Sequence, residues 1–189
     1  MQKYNGMENA TREFEIVKAK TEAEARYLEI KGKDIDIYQT ILSYILFDNP
    51  VKSNSNLAYK VYEQPDLWKY GISGDLPIIT VTIKYINDIY VVKQILKAYE
   101  FFRTKNIKVE LVIINEENYS YENYIRDEIE SAILNSHQAF LKNINGGIFV
   151  LSKSEMDIQD VNLIKFLSVL VIDSHLGNLE NVIKDMEEE

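Results

Sequence analysis

The second half of the chain alternates between short apolar runs and segments of helical periodicity. The apolar runs, rich in Ile, Val and Leu, predict strands at residues 78–83, 109–114, 148–151 and 169–172. Between them, apolar residues recur at helical spacing over residues 88–105, 120–140 and 154–166. Ser120 suits the cap of the second of these helices, and a break is expected in it near Asn135. Continuous apolar strands separated by helices are typical of parallel sheets buried on both faces. The pattern predicts an α/β fold, a three-layer α/β/α unit with a mostly parallel four-stranded sheet and, through right-handed crossovers, helices on both sides.

The first 50 residues carry helical periodicity alone. A partial apolar stripe predicts a helix from Asn9 to Gly32, where the glycine is the expected stop. A second stripe predicts a helix from Asp34 to Phe47, because Asn49-Pro50 cannot continue it. Residues 51–66 are polar and rich in turn formers. We therefore expect a helical lead-in at 1–50, a loop linker at 51–67 and an α/β domain at 68–189.

The lead-in holds more apolar residues than one short α/β unit can cover. We expect some of Phe14, Val17 and Leu28 to be exposed or to pack on another copy of the chain. A homodimer through the lead-in helices is one expectation. A protein-interaction module that uses these helices is one of the functions that the sequence leaves open.

Composition narrows the classes of function. The net charge of −9, from 21 basic and 30 acidic residues, argues against a nucleic acid or an anionic membrane surface as partner. The chain has no cysteine, which excludes disulfides and thiolate metal sites. Neither an apolar run long enough to span a bilayer nor the pattern of a signal peptide is present. The expectation is a soluble, cytoplasmic segment that makes no membrane contact of its own.

The segment before the first predicted strand is the most distinctive in the chain. It contains Gly71, Ser73, Gly74 and Asp75, and Pro77 follows directly before the strand. Two glycines three apart allow a sharp turn, and short polar side chains can lock it through backbone N–H groups. We expect Gly71 or Gly74 at positive φ, and Asp75 as an acceptor of local hydrogen bonds. The loop is predicted to be ordered.

Two catalytic interpretations of this loop are weaker than a structural turn. Gly71 and Gly74 form only a G-x-x-G pattern that precedes a strand, whereas nucleotide-binding loops follow one. Ser73 is not in a G-x-S-x-G elbow, and neither His137 nor His175 has an orienting partner at an obvious spacing. We favour a turn serine and a turn glycine pair, and we assign no catalytic residue.

The carboxyl ends of the predicted strands form the other candidate site, because open parallel sheets bind ligands there. That edge is rich in carboxylates, and Asp88, Glu116 and Asp173 could together suit Mg²⁺. The competing interpretation is that these residues are helix caps and solvated turn residues. We favour the second interpretation and predict neither a metal nor a cofactor. The rest of the edge is Asn87, Asn115, Glu117, Ser152, Lys153, Glu155, Ser174 and His175.

Trp68 is the single tryptophan of the chain and lies beside the glycine loop. Aromatic faces are where sugars commonly stack, so Trp68 suggests carbohydrate contact. The competing interpretation is an aromatic that plugs the edge of the core or a neighbouring domain, and the residues alone favour it. The candidate substrate-binding residues are Trp68, Gly71, Ser73, Gly74 and Asp75.

The same stretch carries a family resemblance. Trp68 followed by the run from Gly71 to Ile78 resembles a segment of the cyclic β-1,2-glucan synthetases, very large membrane enzymes. Their C-terminal part is similar to cellobiose phosphorylase, of glycoside hydrolase family 94, formerly glycosyltransferase family 36. The resemblance covers about Phe14 to Val182, and further matching segments fall in the family's order: 22–28, 46–50, 94–103, 109–115, 146–151 and 169–173.

The resemblance implies a role for the chain as well as a parent. The family's catalytic acid lies in a helical barrel that follows this segment and is absent from the 189 residues. The implied function is a non-catalytic α/β module of a large carbohydrate-active enzyme, which positions neighbouring domains and contacts β-glucan. Its partners are then the other domains of that enzyme. The alternative is an independent small-molecule or metal-dependent α/β enzyme that uses the acidic edge.

Overall fold

The computed structural model describes residues 3–28, 30–47, 65–117 and 124–188. Within these ranges the helices are α1 Lys3–Tyr27, α2 Gly32–Leu46, α3 Pro65–Trp68, α4 Ile89–Thr104, α5 Tyr124–Leu134, α6 Ile158–Leu167 and α7 Leu179–Glu188. The strands are β1 Ile78–Ile83, β2 Glu110–Asn115, β3 Ile148–Ser152 and β4 Leu170–Asp173. Short 3₁₀ turns follow three of the strands, at Ile86–Asp88, Lys153–Glu155 and Ser174–Leu176, and another lies at Ala139–Leu141.

The four strands form one all-parallel sheet in the order β3-β2-β1-β4. Strand β1 is central, since Ile79 pairs with Leu111 of β2 on one side and with Leu170 of β4 on the other. All residues of β1 and β2 are buried, as expected for strands covered on both faces. The predicted α/β architecture and parallel sheet are confirmed.

The two faces of the sheet have separate apolar cores. One face carries Ile79, Val81, Leu111 and Ile113 and packs with residues of α2, α4, α5 and α7. The opposite face carries Val112, Ile114 and Phe149 and packs with Leu67 of α3 and with α6. Alternation of side chains along each strand divides the apolar residues between the faces. The three layers are therefore unequal, with the thicker helical layer on the α4 side.

The first predicted helix boundary is wrong. Helix α1 ends at Tyr27, and Gly32 begins α2 instead of stopping α1. Leu28 is buried and Ile30 packs against the same core. Residues two apart point to widely separated directions on a helix, so burying both requires the chain to leave the helix before Gly32.

Most other predicted boundaries hold or fall outside the described residues, but the helix expected from residue 154 begins at Ile158, after a 3₁₀ turn at Lys153–Glu155. All four strands start and end within a residue or so of their predicted bounds. The predicted break near Asn135 is confirmed, because α5 ends at Leu134 and only a 3₁₀ turn follows. Ser120, the predicted cap of α5, and most of the predicted linker lie outside the described residues.

The lead-in helices are partly buried and partly exposed. Leu28, Tyr38 and Ile41 belong to the same apolar core as β1. Phe14 and Val17 of α1 are 71% and 60% exposed, which confirms that part of the lead-in surface is left uncovered by this chain. The homodimer and the division into 1–50, 51–67 and 68–189 remain predictions. In the described part of the chain, no helix combines the length and the apolar character that crossing a membrane requires.

Candidate functional site

The glycine loop lies at the amino edge of the sheet, directly before β1. Gly71 has φ of +78° and Gly74 has φ of +70°, which confirms that both occupy the left-handed region. A Cβ atom on Gly71 would lie 3.3 Å from Cε1 of Phe149, at the start of β3. Position 71 requires glycine for two reasons, the positive φ and the close approach of Phe149. The positive φ of the two glycines and the contact with Phe149 together define the conformation of the loop.

A buried carboxylate holds the loop. Glu110, the first residue of β2, is fully buried and accepts hydrogen bonds from the backbone N–H groups of Ser73, Gly74 and Gly146. The donor–acceptor distances run from 3.0 to 3.3 Å. These three N–H donors replace the hydrogen bonds to water that the carboxylate loses when it is buried. Glu110 thus ties the glycine loop to the segment before β3.

Ser73 contributes a second lock. Its Oγ accepts a hydrogen bond from the backbone N–H of Asp75 at 3.1 Å, which confirms the predicted role of a short polar side chain in the turn. The Asp75 side chain is exposed, whereas Ser73 is buried. The carboxylate that secures the loop amides is that of Glu110, which pattern reasoning had not singled out.

Trp68 ends α3 and stands against this loop. Its Nε1–H donates to the carbonyl oxygen of Ser73 at 3.2 Å, yet the residue is 59% exposed. Its neighbour Leu67 is buried in the core on the α6 side of the sheet, which anchors the short helix. The indole is therefore oriented by a hydrogen bond while much of it faces solvent. The indole therefore does not plug the core of this chain, and the two predictions that stay open are contact with a sugar and contact with a neighbouring domain.

The residues after Trp68 attach the loop to α6. Asp160 of α6 accepts a hydrogen bond from the Tyr70 hydroxyl at 2.6 Å and pairs with Nζ of Lys69 at 2.7 Å. Burial raises the pKa of Asp160, but the hydrogen bonds from Lys69 and Tyr70 outweigh it, so that the pKa is lowered overall. Burial and the bond to Asp160 raise the pKa of the Tyr70 hydroxyl. Glu110, Phe149 and Asp160 thus hold the segment from Trp68 to Asp75 from three sides.

At the opposite edge of the sheet, where the strands end, Glu116 forms ion pairs with two lysines. It lies 3.0 Å from Nζ of Lys153 and 3.4 Å from Nζ of Lys165. Burial raises the pKa of Glu116, but these two lysines outweigh that effect and lower it overall. The pairs draw Glu116 toward β3 and α6.

Asp88 and Asp173 lie on the other side of β1, and they behave differently. Asp173 accepts a hydrogen bond from the backbone N–H of His175, as predicted for a capping residue. Asp88 occupies the N-cap position of α4, where a cap or first-turn acid is predicted, but its side chain makes no capping hydrogen bond. Its Oδ2 instead lies 3.9 Å from Nδ1 of His175, an orienting contact that spacing did not reveal.

The three carboxylates that could suit Mg²⁺, Asp88, Glu116 and Asp173, are not grouped together in the structure. Glu116 follows β2 and Asp173 ends β4, with β1 between them, so two strand spacings of roughly 5 Å each separate their backbones. Among residues 3–28, 30–47, 65–117 and 124–188, no three His, Asp or Glu side chains are grouped to hold a metal ion. The acidic edge divides into a lysine-paired half and a half around Asp88.

A further buried carboxylate lies between α4 and α5. Glu100 is 1% exposed and accepts a hydrogen bond from the backbone N–H of His137 at 2.7 Å. Nζ of Lys97 donates to its other oxygen at 3.2 Å. The His137 ring lies 3.3 Å from Glu100, so this histidine also has a partner that spacing did not indicate. An open cavity of about 350 Å³ borders Glu100 between the two helices.

The five predicted site residues lie together at the end of α3 and on the loop that follows it. Their role in binding substrate stays a prediction. Glu110 and Glu100 were missed, although each left a signal. Each is a carboxylate inside an apolar run, Glu110 before Leu111 and Glu100 before Phe101. A buried charge must find hydrogen-bond donors, and apart from Lys97, three residues before Glu100, the donors to these two carboxylates are distant in sequence.

Comparison with known proteins gives one distant similarity that bears on function. No family model matches the chain. A 114-residue part, 59% of the chain, is 25% identical to "Cyclic beta-(1,2)-glucan synthase NdvB" of Rhizobium meliloti (strain 1021). The chain spans about 4% of the length of that curated relative. The similarity supports a carbohydrate-related enzyme segment and carries no finer assignment.

Proposed function

We propose that the chain is a non-catalytic α/β module of a larger, β-glucan-synthesising or phosphorolysing enzyme. In that enzyme it positions neighbouring domains and contacts glucan through the platform of Trp68 and the glycine loop. The observation that carries the proposal is an exposed indole held in place by Ser73. The distant similarity to part of a glucan synthase supports the glucan as ligand class.

The platform has the chemistry that a sugar ring uses. A sugar presents C–H groups on its faces and hydroxyls at its rim, and an aromatic face covers the former. Lys69 and the exposed Asp75 flank the indole in sequence and supply polar groups. Since Glu110 already fixes the loop amides, little ordering entropy is lost on binding.

Two carboxylates near the platform, Glu110 and Asp160, have structural partners. Glu110 is saturated by amides, and Asp160 is held by Lys69 and Tyr70. A glycosidase pair needs one carboxyl group that is free to donate a proton and a second that is poised across the bond. This supports a role in binding and positioning without chemistry.

Product analysis tests the absence of catalysis. The chain is incubated with β-1,2-gluco-oligosaccharides, with and without inorganic phosphate, and products are separated by anion-exchange chromatography. We expect no hydrolysis and no phosphorolysis. Turnover that disappears in Glu116→Gln and persists in Glu22→Gln would contradict the proposal and favour the alternative, a small-molecule enzyme that uses the carboxyl edge.

A further inference from the structure

Small side chains on α5 leave an open cavity between α4 and α5. Ser131 and Ala132 line it from α5, and Ser136 lines it from the turn that follows. Leu96 of α4 and Ala132 are its apolar lining, and both belong to the core on that face of the sheet. The volume of about 350 Å³ lies within the range of small-molecule pockets, roughly 300–1,000 Å³. The cavity is therefore large enough for a small ligand.

Two lysines supply hydrogen-bond donors from α4. Lys93 and Lys97 line the cavity one helical turn apart, so they share a face of α4. Nζ of Lys93 lies 3.9 Å from the nearer oxygen of Glu128, which is too far for a hydrogen bond. Nζ of Lys97 donates to the carbonyl oxygen of Leu28 and to Glu100, and an ammonium group has three N–H donors. Both lysines can therefore donate to a ligand.

The other side of the cavity adds an uncharged donor. Nδ2 of Asn135 donates to Oγ of Ser131 at 3.4 Å, and within the described residues the Ser131 hydroxyl donates to no further group. Oγ of Ser136 is occupied, because it donates to the carbonyl oxygen of Ile133 and accepts from the backbone N–H of Gln138. The lining thus offers two ammonium groups and one hydroxyl as donors, against the amide oxygen of Asn135 as acceptor.

The carboxylate of Glu100 is not open to a ligand. It is 1% exposed, and its two oxygens accept from the backbone N–H of His137 and from Nζ of Lys97. A cationic ligand would therefore meet the two lysines, while the carboxylate among the described lining residues is already saturated. The cavity favours a ligand that accepts hydrogen bonds and carries negative charge.

We propose that this cavity binds the carboxylate of a small organic acid with a short aliphatic chain. The carboxylate accepts hydrogen bonds from Lys93, Lys97 and Ser131, and the aliphatic chain covers Leu96 and Ala132. An ammonium group that bridges Glu100 and the ligand carboxylate keeps the two negative charges compensated.

A dianionic phosphate fits less well. Phosphate sites commonly use the free backbone N–H groups at a helix N-terminus, whereas this cavity lies beside the carboxyl end of α5, where the helix dipole is negative. The cavity lies on the opposite face of the sheet from Leu67, which anchors Trp68. The site therefore goes beyond the proposed function and does not depend on the platform.

Two-dimensional nuclear magnetic resonance of the full chain tests the proposal. Acetate, butyrate and hexanoate are titrated at constant ionic strength, with butyramide as the neutral analogue and inorganic phosphate as the competing anion. We expect saturable shifts of the amide signals of Ser131 and Asn135, and an affinity that rises by up to about fourfold for each added methylene group. Butyramide, which lacks the charge, should bind about tenfold more weakly than butyrate.

Variants on both sides of the cavity separate this site from other surfaces. Lys93→Gln removes one ammonium group and should weaken butyrate binding about tenfold, whereas Lys108→Gln, the same change at an exposed position before β2, should have no effect. Ala132→Leu fills the cavity and should abolish binding. Trp68→Ala should leave the affinity unchanged, so that failure of the glucan proposal does not affect this test.

The proposal has clear contrary results. Absence of a saturable shift with butyrate and hexanoate in the wild-type chain would overturn it. An affinity unchanged in Lys93→Gln or in Ala132→Leu would also overturn it, because the ligand would then bind elsewhere. Equal affinity for butyramide or for phosphate would contradict the assignment of a carboxylate.

Discussion

A carboxylate oxygen of Glu110 lies 3.0 Å from the backbone nitrogen of Ser73, across 37 positions of sequence. This contact joins the start of β2 to the loop before β1. With the bonds to Gly74 and Gly146 it turns three separate backbone segments into one rigid amino edge. The same Ser73 also orients the exposed Trp68, because the indole N–H donates a hydrogen bond to the Ser73 carbonyl oxygen.

Glu110→Ala should be strongly destabilising. The change leaves the N–H groups of Ser73, Gly74 and Gly146 without their acceptor, and each buried unpaired donor costs about 1–3 kcal/mol. We expect a loss of about 3 kcal/mol or more in the free energy of unfolding, measured by urea denaturation. Glu110→Gln keeps an acceptor oxygen and should lose less. Glu15→Gln, on the exposed surface of α1, is the matched control, and a loss there equal to that of Glu110→Gln would contradict this account.

Gly71→Ala should lower stability by about 1–2 kcal/mol, since alanine is strained at φ of +78° and its Cβ crowds Phe149. Gly32→Ala provides the comparison, because Gly32 lies in α2 and a Cβ there meets no atom within 4 Å. That variant should be unchanged or slightly more stable. Thermal melts of both variants check the contrast, and equal melting temperatures would refute it.

Acid should weaken the contribution of Glu116. Its pKa is lowered by Lys153 and Lys165 despite burial, so its stabilisation is complete above the unfolded-state pKa of roughly 4 and is lost as the pH falls through the lower folded value. Lys165→Met should lower stability at pH 7 by about 1 kcal/mol and flatten the pH dependence between roughly pH 5 and 3. Urea midpoints across this range, with the exposed Lys108→Met as control, are the measurement. A pH dependence unchanged in Lys165→Met would count against the pairing.

The exposed apolar residues of α1 predict self-association. Phe14 and Val17 are largely exposed, so covering them gains apolar burial. We expect light scattering to detect a dimer whose population falls in the double variant Phe14→Ser, Val17→Ser. Phe140→Ser, which removes an equally exposed aromatic elsewhere, should not change the population. A strict monomer at all concentrations would remove this prediction.

The fold could be predicted because its signals are local. Ile78 to Ile83 and Val109 to Ile114 are short runs dominated by β-branched and apolar residues, which is typical of strands buried on both faces. The positive φ of Gly71 and Gly74 was also predictable, since glycines in a turn-rich segment mark it.

The contacts of Glu110 with Ser73 and of Asp88 with His175 could not be predicted, because each joins residues distant in sequence. No local sequence pattern at Glu110 indicates its contact with Ser73, and none at Asp88 indicates its contact with His175. The order of the strands in the sheet brings each pair together. The helix end predicted at Gly32 is wrong because packing in the core ends α1 before the chain reaches this glycine. Burial of Leu28 ended α1 first.

Fluorescence of Trp68 tests the central claim most directly, because it is the single tryptophan of the chain. β-1,2-gluco-oligosaccharides are titrated into the full chain while the emission maximum is followed. If the platform binds glucan, the indole, 59% exposed in the free chain, loses water and its emission shifts to shorter wavelength in a saturable manner. Glu110→Gln should weaken this response by loosening the loop, whereas Asp88→Asn should leave it unchanged. An emission spectrum that does not respond to any oligosaccharide would contradict glucan contact through Trp68.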